Sequence, residues 1–197
     1  GDSENAPTWD IRVPQPPDDV TIRPADLVTI NGLGTKSINS LSISGTLDHA
    51  KNTTAEAHKI DLSVAGAVTI ALGGKIDVRA QGFDPNRDLD GSYPGNRYGM
   101  GGSHGGHGGK TRNSENFPPR DTYGSIIAPA NIGAGGFSWS GSSQNTNDGG
   151  GAVKLTITEG LTLEGEILAD GHGTDGNLDG GGAGGSVWIT ASNLTGS

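Results

Sequence analysis

Short stretches of alternating apolar and polar residues, separated by glycine, recur along most of this chain. In residues 151–170, Val153, Leu155 and Ile157 alternate with polar residues, and a second alternating stretch follows directly. A period of two is typical of half-buried β-strands, and glycine between the stretches indicates sharp corners. The same pattern returns at 41–47, 68–78 and 161–167. A repeated unit of strand, glycine corner and strand predicts a β-solenoid.

The composition fits this architecture better than it fits a round core. Only 31% of the 197 residues are apolar and 36 are glycine, well above the usual glycine share of about 7%. The glycines show no Gly-X-Y period, which excludes collagen. A thin column of Val, Ile and Leu suffices for a solenoid. Because the strands between residues 20 and 78 recur about every 20 residues, we predict an all-β chain folded as a three-sided parallel β-helix.

We expect a single domain over residues 1–197, divided into three regions. Residues 1–19 are polar and proline-rich and form an N-terminal cap or, alternatively, a flexible leader. Residues 83–150 lack alternation and form a long loop excursion rich in Gly, Asp and aromatic residues. Residues 151–197 form the final rungs, interrupted by a loop at 170–185. Residues 80–91 resemble 169–180, so we expect two acidic loops that leave the same edge side by side.

The charge and the residue types exclude several classes of function. A net charge of −9 argues against nucleic acid and anionic membranes as partners and favours divalent cations. The chain contains no cysteine, which excludes disulfides and thiol chemistry. It contains no apolar run of about 18 residues, so we expect no membrane insertion. Low Lys with high Gly, Asn, Thr and Asp favours a secreted bacterial protein.

Two parts of the chain resemble a known group of proteins. Residues 9–47, with Trp9, Val13-Pro14, Asp18–Ile22 and Leu41-Ser-Ile-Ser-Gly-Thr-Leu47, resemble the opening of the eight-glycine domains in large bacterial surface proteins. Residues 180–189, Gly-Gly-Gly-Ala-Gly-Gly-Ser-Val-Trp-Ile, are similar to the glycine-rich rungs of such proteins. The resemblance implies a right-handed β-helix in a secreted or cell-surface protein. It implies no catalytic residue.

The two acidic loops carry oxygen ligands at every second position, followed by glycine. This spacing is typical of loops that bind Ca²⁺, which takes about six to eight oxygens. It predicts calcium ligands at Asp84, Asn86, Asp88 and Asp90 in the first loop and at Asp175, Asn177 and Asp179 in the second. The twelfth loop position is Arg97 or Ser186 rather than glutamate, so neither loop is an EF-hand. The alternative is that these residues only form turns.

Histidines and aromatic residues give two further candidate sites. His104, His107 and His172 form a weak zinc or copper pattern, for which solvated loop histidines are the stronger interpretation. We expect His49 and His58 to lie on the surface. Six of the nine aromatic residues fall between 92 and 150, interleaved with arginines. They either pack the excursion down or bind a ligand such as a sugar, with the candidate residues Tyr93, Arg97, Tyr98, Tyr123 and Trp139.

Two functional hypotheses follow. The first is an extracellular structural or adhesive module, stabilised by calcium, that binds neighbouring copies or other surface proteins and self-assembles into filaments. The second is a polysaccharide-binding module, or a polysaccharide lyase or glycosidase, that acts through the loops at 83–124 and 170–182. The chain shows no catalytic motif, so we favour the non-enzymatic hypothesis.

Overall fold

The structure is a computed structural model that describes residues 16–92, 99–110, 118–138, 147–173 and 179–196. These ranges contain β-strands and no helix. Residues 1–15, which make up most of the predicted cap, lie outside them. The prediction of an all-β chain with parallel sheets is confirmed.

Thirteen of the described strands form three parallel sheets. Sheet I contains, in order, β1 (Asp19–Ile22), β4 (Ser40–Ile43), β7 (Val68–Ile70), β12 (Gly160–Leu163) and β15 (Asn193–Gly196). Sheet II contains β2 (Leu27–Ile30), β5 (Thr46–His49), β8 (Lys75–Asp77) and β13 (Glu166–Leu168). Sheet III contains β3 (Lys36–Ile38), β6 (Ile60–Val64), β11 (Ala152–Ile157) and β14 (Ser186–Thr190). A short antiparallel pair, β9 (Arg87–Asp88) and β10 (Gly91–Ser92), lies apart from the three sheets.

The chain visits the three sheets in a fixed cyclic order. Strands β1, β2 and β3 lie in sheets I, II and III, and β4, β5 and β6 repeat that order one strand further along each sheet. After β8 in sheet II, the chain makes a long excursion and returns as β11 in sheet III, which is the next sheet in the order. The excursion is therefore an insertion that leaves the order of the strands unchanged.

Because side chains alternate along each strand, every second side chain lies in a core that the strands share. In β4, Leu41 and Ile43 are buried, whereas Ser40 and Ser42, which alternate with them, are half-buried. Because neighbouring strands are parallel and in register, apolar residues stack on one another, as Leu41 does on Val68. Each fully buried aliphatic side chain contributes about 1.5–3 kcal/mol to stability. The core is formed mainly by Ile22, Val28, Ile38, Leu41, Ile43, Leu47, Ile60, Leu62, Val64, Val68, Ile70, Ile76, Val78, Val153, Leu155, Ile157 and Leu161.

Glycine occupies the corner between sheet I and sheet II in successive layers. Gly45, Gly74 and Gly165 precede β5, β8 and β13, and the residue after each of the last two donates to the glycine carbonyl below it. A Cβ on Gly74 would overlap the carbonyl oxygen of Ile43, and one on Gly165 would overlap that of Gly74. The predicted glycine corners are confirmed, and close backbone approach is the reason for them.

Parts of the insertion pack together with segments of the loop at 170–185. The packed segments are 81–87, 99–109, 131–138, 147–151, 169–173 and 179–185, which we call the glycine bundle. Segment 131–138 exchanges backbone hydrogen bonds with four others: 81–87, 99–109, 147–151 and 179–185. A strand in a sheet has at most two such neighbours, so the bundle is not a sheet.

Close packing in the bundle accounts for many of the glycines in this chain. Its backbones lie so close together that an added Cβ would overlap a neighbouring carbonyl oxygen, for example Gly180 O at Gly136 and Gly133 O at Gly149. The same holds for glycines 82, 102, 133, 135, 150, 171, 180, 182 and 185. The crowding resembles the axis of collagen, where only glycine fits. Apart from the short β9–β10 pair, the described residues of 83–150 contain no strand, and the structure adds that several of these segments are closely packed.

Candidate functional site

The first predicted calcium loop holds its central carboxylate in an internal ion pair. Asp88 is 3% exposed, and both of its oxygens accept hydrogen bonds from the Arg120 guanidinium, each 2.6 Å long. Paired, bidentate contacts of this kind are the strongest that a carboxylate makes with a side chain. The Asp90 backbone nitrogen also donates to Asp88 Oδ1, at 3.0 Å. Asp88 thus has a cationic partner within the protein.

Two further described residues of this loop, Asp84 and Asn86, also have internal partners. Asp84 Oδ1 lies 3.2 Å from the Lys51 ammonium nitrogen. The Asn86 side-chain amide donates to Ser138 O and accepts from Ser138 N, both at 3.1 Å. It therefore pairs with Ser138 in the way that a backbone amide of a neighbouring strand would. Asn86 has a positive φ of 62°, a conformation that asparagine tolerates in turns. These contacts favour the turn interpretation for Asn86.

The two acidic loops begin side by side and then separate. Ala80 N donates to Asp170 O at 3.0 Å, as the repeat predicts. Further along, segment 131–138 lies between them, because Gly136 O accepts from Asn86 N while Gly180 N donates to Phe137 O. Asp175 and Asn177 lie outside the described residues. Among the described residues, no three His, Asp or Glu side chains are grouped closely enough to hold a metal, and calcium stays a prediction.

The predicted ligand-binding residues are only partly within the described ranges. Tyr93, Arg97, Tyr98 and Trp139 lie outside them. Tyr123 is half-buried, and its hydroxyl donates to Ile132 O at 2.7 Å. It packs beside a small second core formed by Phe83, Ile132 and Ala152. Packing of the insertion is therefore one role of Tyr123, and ligand binding stays a prediction.

Two of the three candidate metal-binding histidines each contact a backbone carbonyl. His104 is 9% exposed, its Nδ1 lies 2.9 Å from Gly184 O, and its ring lies 4.9 Å from that of Tyr123 at an angle of 43°. Because a carbonyl only accepts, His104 Nδ1 is the donor. His107 Nδ1 lies 3.0 Å from Arg120 O. His172 is exposed, and its backbone nitrogen donates to Asp148 O.

A groove of about 600 Å³ runs past His104 and Tyr123. Glycine backbone and small side chains line it, and Ile126 stands exposed at its rim. Its described lining contains no Asp, Glu, Lys or Arg, although the whole chain carries 35 of them as 22 acids and 13 bases. An uncharged groove is suited to an uncharged ligand.

A polar cluster under the insertion was missed by sequence reasoning. His49, expected on the surface, is fully buried. Its Nδ1 lies 2.8 Å from Ala50 O and its Nε2 accepts from Ala152 N at 3.1 Å, so the ring is held neutral. Burial lowers its pKa to about 4. The alternation of buried positions in β5 could have indicated that His49 is buried, because His49 lies two residues after the buried Leu47.

Lys51 and Asn52 complete this cluster, which we call the junction. Asn52 is 1% exposed and its side chain makes four hydrogen bonds, to the backbones of Ala57, Gln81 and twice to His58. Lys51 Nζ donates to Asn52 O at 2.6 Å and to Gly82 O at 2.7 Å, and it lies 3.4 Å from Asp148 Oδ1. The junction joins sheet II to the glycine bundle.

Comparison of the chain with protein-family models, curated proteins and solved structures found no match. In the described part of the chain, no helix has the length and apolarity needed to cross a membrane.

Proposed function

We propose that the three sheets close into a right-handed parallel β-helix and that the chain is a structural or adhesive module of an extracellular protein. The cyclic order of the parallel strands supports closure, and right-handed crossovers are the rule for parallel strands. The glycine-rich, cysteine-free composition supports a secreted or cell-surface location. In this proposal the module associates end to end with neighbouring copies.

The observation that carries the association is the exposure of apolar residues on the last strands of sheets I and III. Leu194 of β15 is 67% exposed, whereas Leu161, its partner in the strand before, is fully buried. Val187 of β14 is 41% exposed, whereas its partner Val153 is 1% exposed. We call the outer faces of β13, β14 and β15 the C-terminal edge. It combines apolar side chains with unpaired strand backbones.

In this proposal the opposite end of the sheets supplies the other half of the contact. Strands β1, β2 and β3 are each the first strand of their sheet, and an apolar cavity of about 220 Å³ opens between them, lined by Val20, Ile22, Ile30 and Ile38. We call this the N-terminal edge. Because the two edges differ, contact between them is head to tail and continues from copy to copy as a filament. Exposed strand edges are natural templates for such pairing.

The test is sedimentation at increasing protein concentration. We expect reversible association of the wild-type chain and a large loss of association in Leu194→Lys, which places a charge on the C-terminal edge. The matched control is Leu72→Lys, since Leu72 is 88% exposed in the turn between β7 and β8. A wild-type chain that stays monomeric at all concentrations would contradict the proposal, as would equal effects of the two substitutions.

A second candidate function is favoured by the uncharged groove at Tyr123. A glycine-lined groove with an aromatic pair is suited to a polysaccharide, and the lack of charge favours a neutral one over an acidic one. The test is a glycan array that contains both kinds. Gly106→Trp would fill the groove, because nothing lies within 4 Å of a Cβ at Gly106, whereas Gly109→Trp, equally open but outside the groove, is the control. If the two variants bound the same glycans equally well, the groove would be excluded as the binding site.

A further inference from the structure

The Lys51 ammonium nitrogen lies between two carboxylates at the junction. It is 3.4 Å from Asp148 Oδ1 and 3.2 Å from Asp84 Oδ1. Lys51 follows β5, and Asp148 belongs to the segment that leads into β11. The contact therefore joins the sheets to the glycine bundle at the point where the insertion returns.

Two backbone carbonyls hold this nitrogen in place. Lys51 Nζ donates to Asn52 O at 2.6 Å and to Gly82 O at 2.7 Å. An ammonium has three N–H donors. Two of them bond to these carbonyls, which leaves the third N–H for the carboxylates. If the proton of this third N–H is transferred, a lone pair remains on the nitrogen in the position that the N–H bond occupied. The two carbonyl contacts persist after the transfer, because the neutral amine still has two N–H groups.

Asp148 is a carboxyl group in an unusual environment. It is 1% exposed, and within the described ranges neither of its oxygens has a hydrogen-bond partner. An ionised carboxylate without hydrogen bonds is costly to bury, and burial raises the pKa of Asp148. Burial thus works against the charged form of this carboxyl, which lies beside the Lys51 nitrogen.

We propose that Lys51 and Asp148 form an intramolecular isopeptide bond, with Asp84 as the general acid and base. A proton passes from the Lys51 ammonium to the Asp148 carboxylate. The Nζ lone pair then attacks Cγ of Asp148 and forms the C–N bond. Asp84 takes a proton from Nζ and returns it to the departing oxygen, the C–O bond breaks, and one water molecule leaves. No oxidant, reductant or further reactant is required.

The surroundings suit this chemistry. The side chains of Lys51 and Asp84 are 28% and 25% exposed, which leaves a path for the released water. The chain contains no cysteine, so a Lys–Asp amide would be its means of covalent cross-linking. The bond would attach the glycine bundle to sheet II and does not depend on the end-to-end association proposed above.

The test is the intact mass of the purified, folded, full-length chain under denaturing conditions. We expect the mass to be lower than the sequence mass by one water molecule. Fragmentation should yield a branched peptide that contains both Lys51 and Asp148. A folded wild-type chain that keeps its full sequence mass after prolonged incubation near neutral pH would overturn the proposal.

Two variants separate the isopeptide bond from other losses of water. Lys51→Arg keeps the cation but removes the nucleophile, because the guanidinium stays protonated, so the full sequence mass should return. The Asp148-Gly149 step could also lose water as a succinimide, and a deficit that persists in the folded Lys51→Arg variant would overturn the proposal in favour of that product. Asp84→Asn should slow bond formation at least tenfold. Circular dichroism should confirm that both variants fold.

Discussion

The polar side chains of the junction form hydrogen bonds to backbone atoms from separate parts of the chain. Asn52 bonds the 50–59 loop to Gln81 at the start of the insertion, and His49 bonds β5 to the start of β11. Burying such groups is tolerated only because their partners are present, since an unsatisfied buried polar atom costs about 1–3 kcal/mol. At this scale the insertion is held by specific polar contacts as well as by apolar packing.

His49 should make the protein less stable in mild acid. The pKa of its ring is lowered to about 4 in the folded chain, against about 6.5 in an unfolded one. As the pH falls from about 6.5 towards 4, the unfolded chain takes up the proton first, so stability that is complete above about 6.5 is progressively lost. The loss from this one residue should reach about 3 kcal/mol.

Denaturant unfolding between pH 4 and 8 measures this effect. His49→Gln should flatten the dependence of the unfolding free energy on pH, since the titrating group is removed. His107→Gln serves as the control, because His107 is exposed, and it should leave the dependence unchanged. If His49→Gln retained the wild-type slope, another group would be responsible.

The strands and the glycine segments are two kinds of element that follow different packing rules. A strand alternates its side chains between core and solvent and bonds to one neighbour on each side. Segment 131–138 forms backbone hydrogen bonds with four neighbouring segments. Because backbone surrounds it on so many sides, little space remains for its side chains. Strands therefore require apolar residues at alternate positions, and bundle segments require glycine or alanine at contact positions.

Gly136→Ala should destabilise the chain much more than Gly106→Ala. A Cβ at Gly136 would overlap the backbone of Gly180, whereas one at Gly106 would have no atom within 4 Å. Overpacking of a tightly packed interior costs about 1–3 kcal/mol and sometimes more, whereas an alanine in open space changes stability by less than about 0.5 kcal/mol. Denaturant unfolding of the two variants provides the comparison. Similar losses of unfolding free energy in the two variants would show that the backbones of the glycine bundle are packed less tightly than in the structure.

At the scale of the whole molecule, internal cations balance several of the acids on which the calcium prediction depends. Arg120 binds Asp88, and Lys51 lies beside Asp84. Outside the predicted calcium loops, Arg79 makes two short hydrogen bonds to Asp77 that lower the pKa of that carboxyl. Each of the first two pairs joins different parts of the insertion or joins it to the sheets. These pairings leave the formal net charge of −9 unchanged.

Asp88→Asn distinguishes an internal ion pair from a calcium site. If Arg120 is the partner of Asp88, the substitution leaves a partly buried cation without its carboxylate and should cost about 3–5 kcal/mol. The loss should be the same in EDTA and in added calcium, as measured by thermal and denaturant unfolding. Asp90→Asn, at an exposed position of the same loop, should change stability by less than about 0.5 kcal/mol. A loss seen only with calcium would place an ion in the loop.

The sequence by itself determined the strands and the corners. Val, Ile and Leu at alternate positions, as in β4 and β11, specify strands because the side-chain period of a strand is two, and this relation is local. Glycine before β8 and β13 predicted the corners, because glycine is typical of turns, although it is the close backbone approach between layers that requires it there. Alternation at Leu47 and His49 could also have located the buried histidine, had the histidine been read as part of the strand.

The tertiary structure alone decided the packing of the insertion and the partners of its charges. Gly136 lies against Gly180 and Asp88 binds Arg120, and no spacing rule connects residues so far apart in sequence. In the sequence, glycine permits turns, linkers and close packing equally, and only the neighbouring backbones show which of these applies. In the same way, an aspartate is a candidate ligand in the sequence, and only the position of the nearest cation decides what balances its charge.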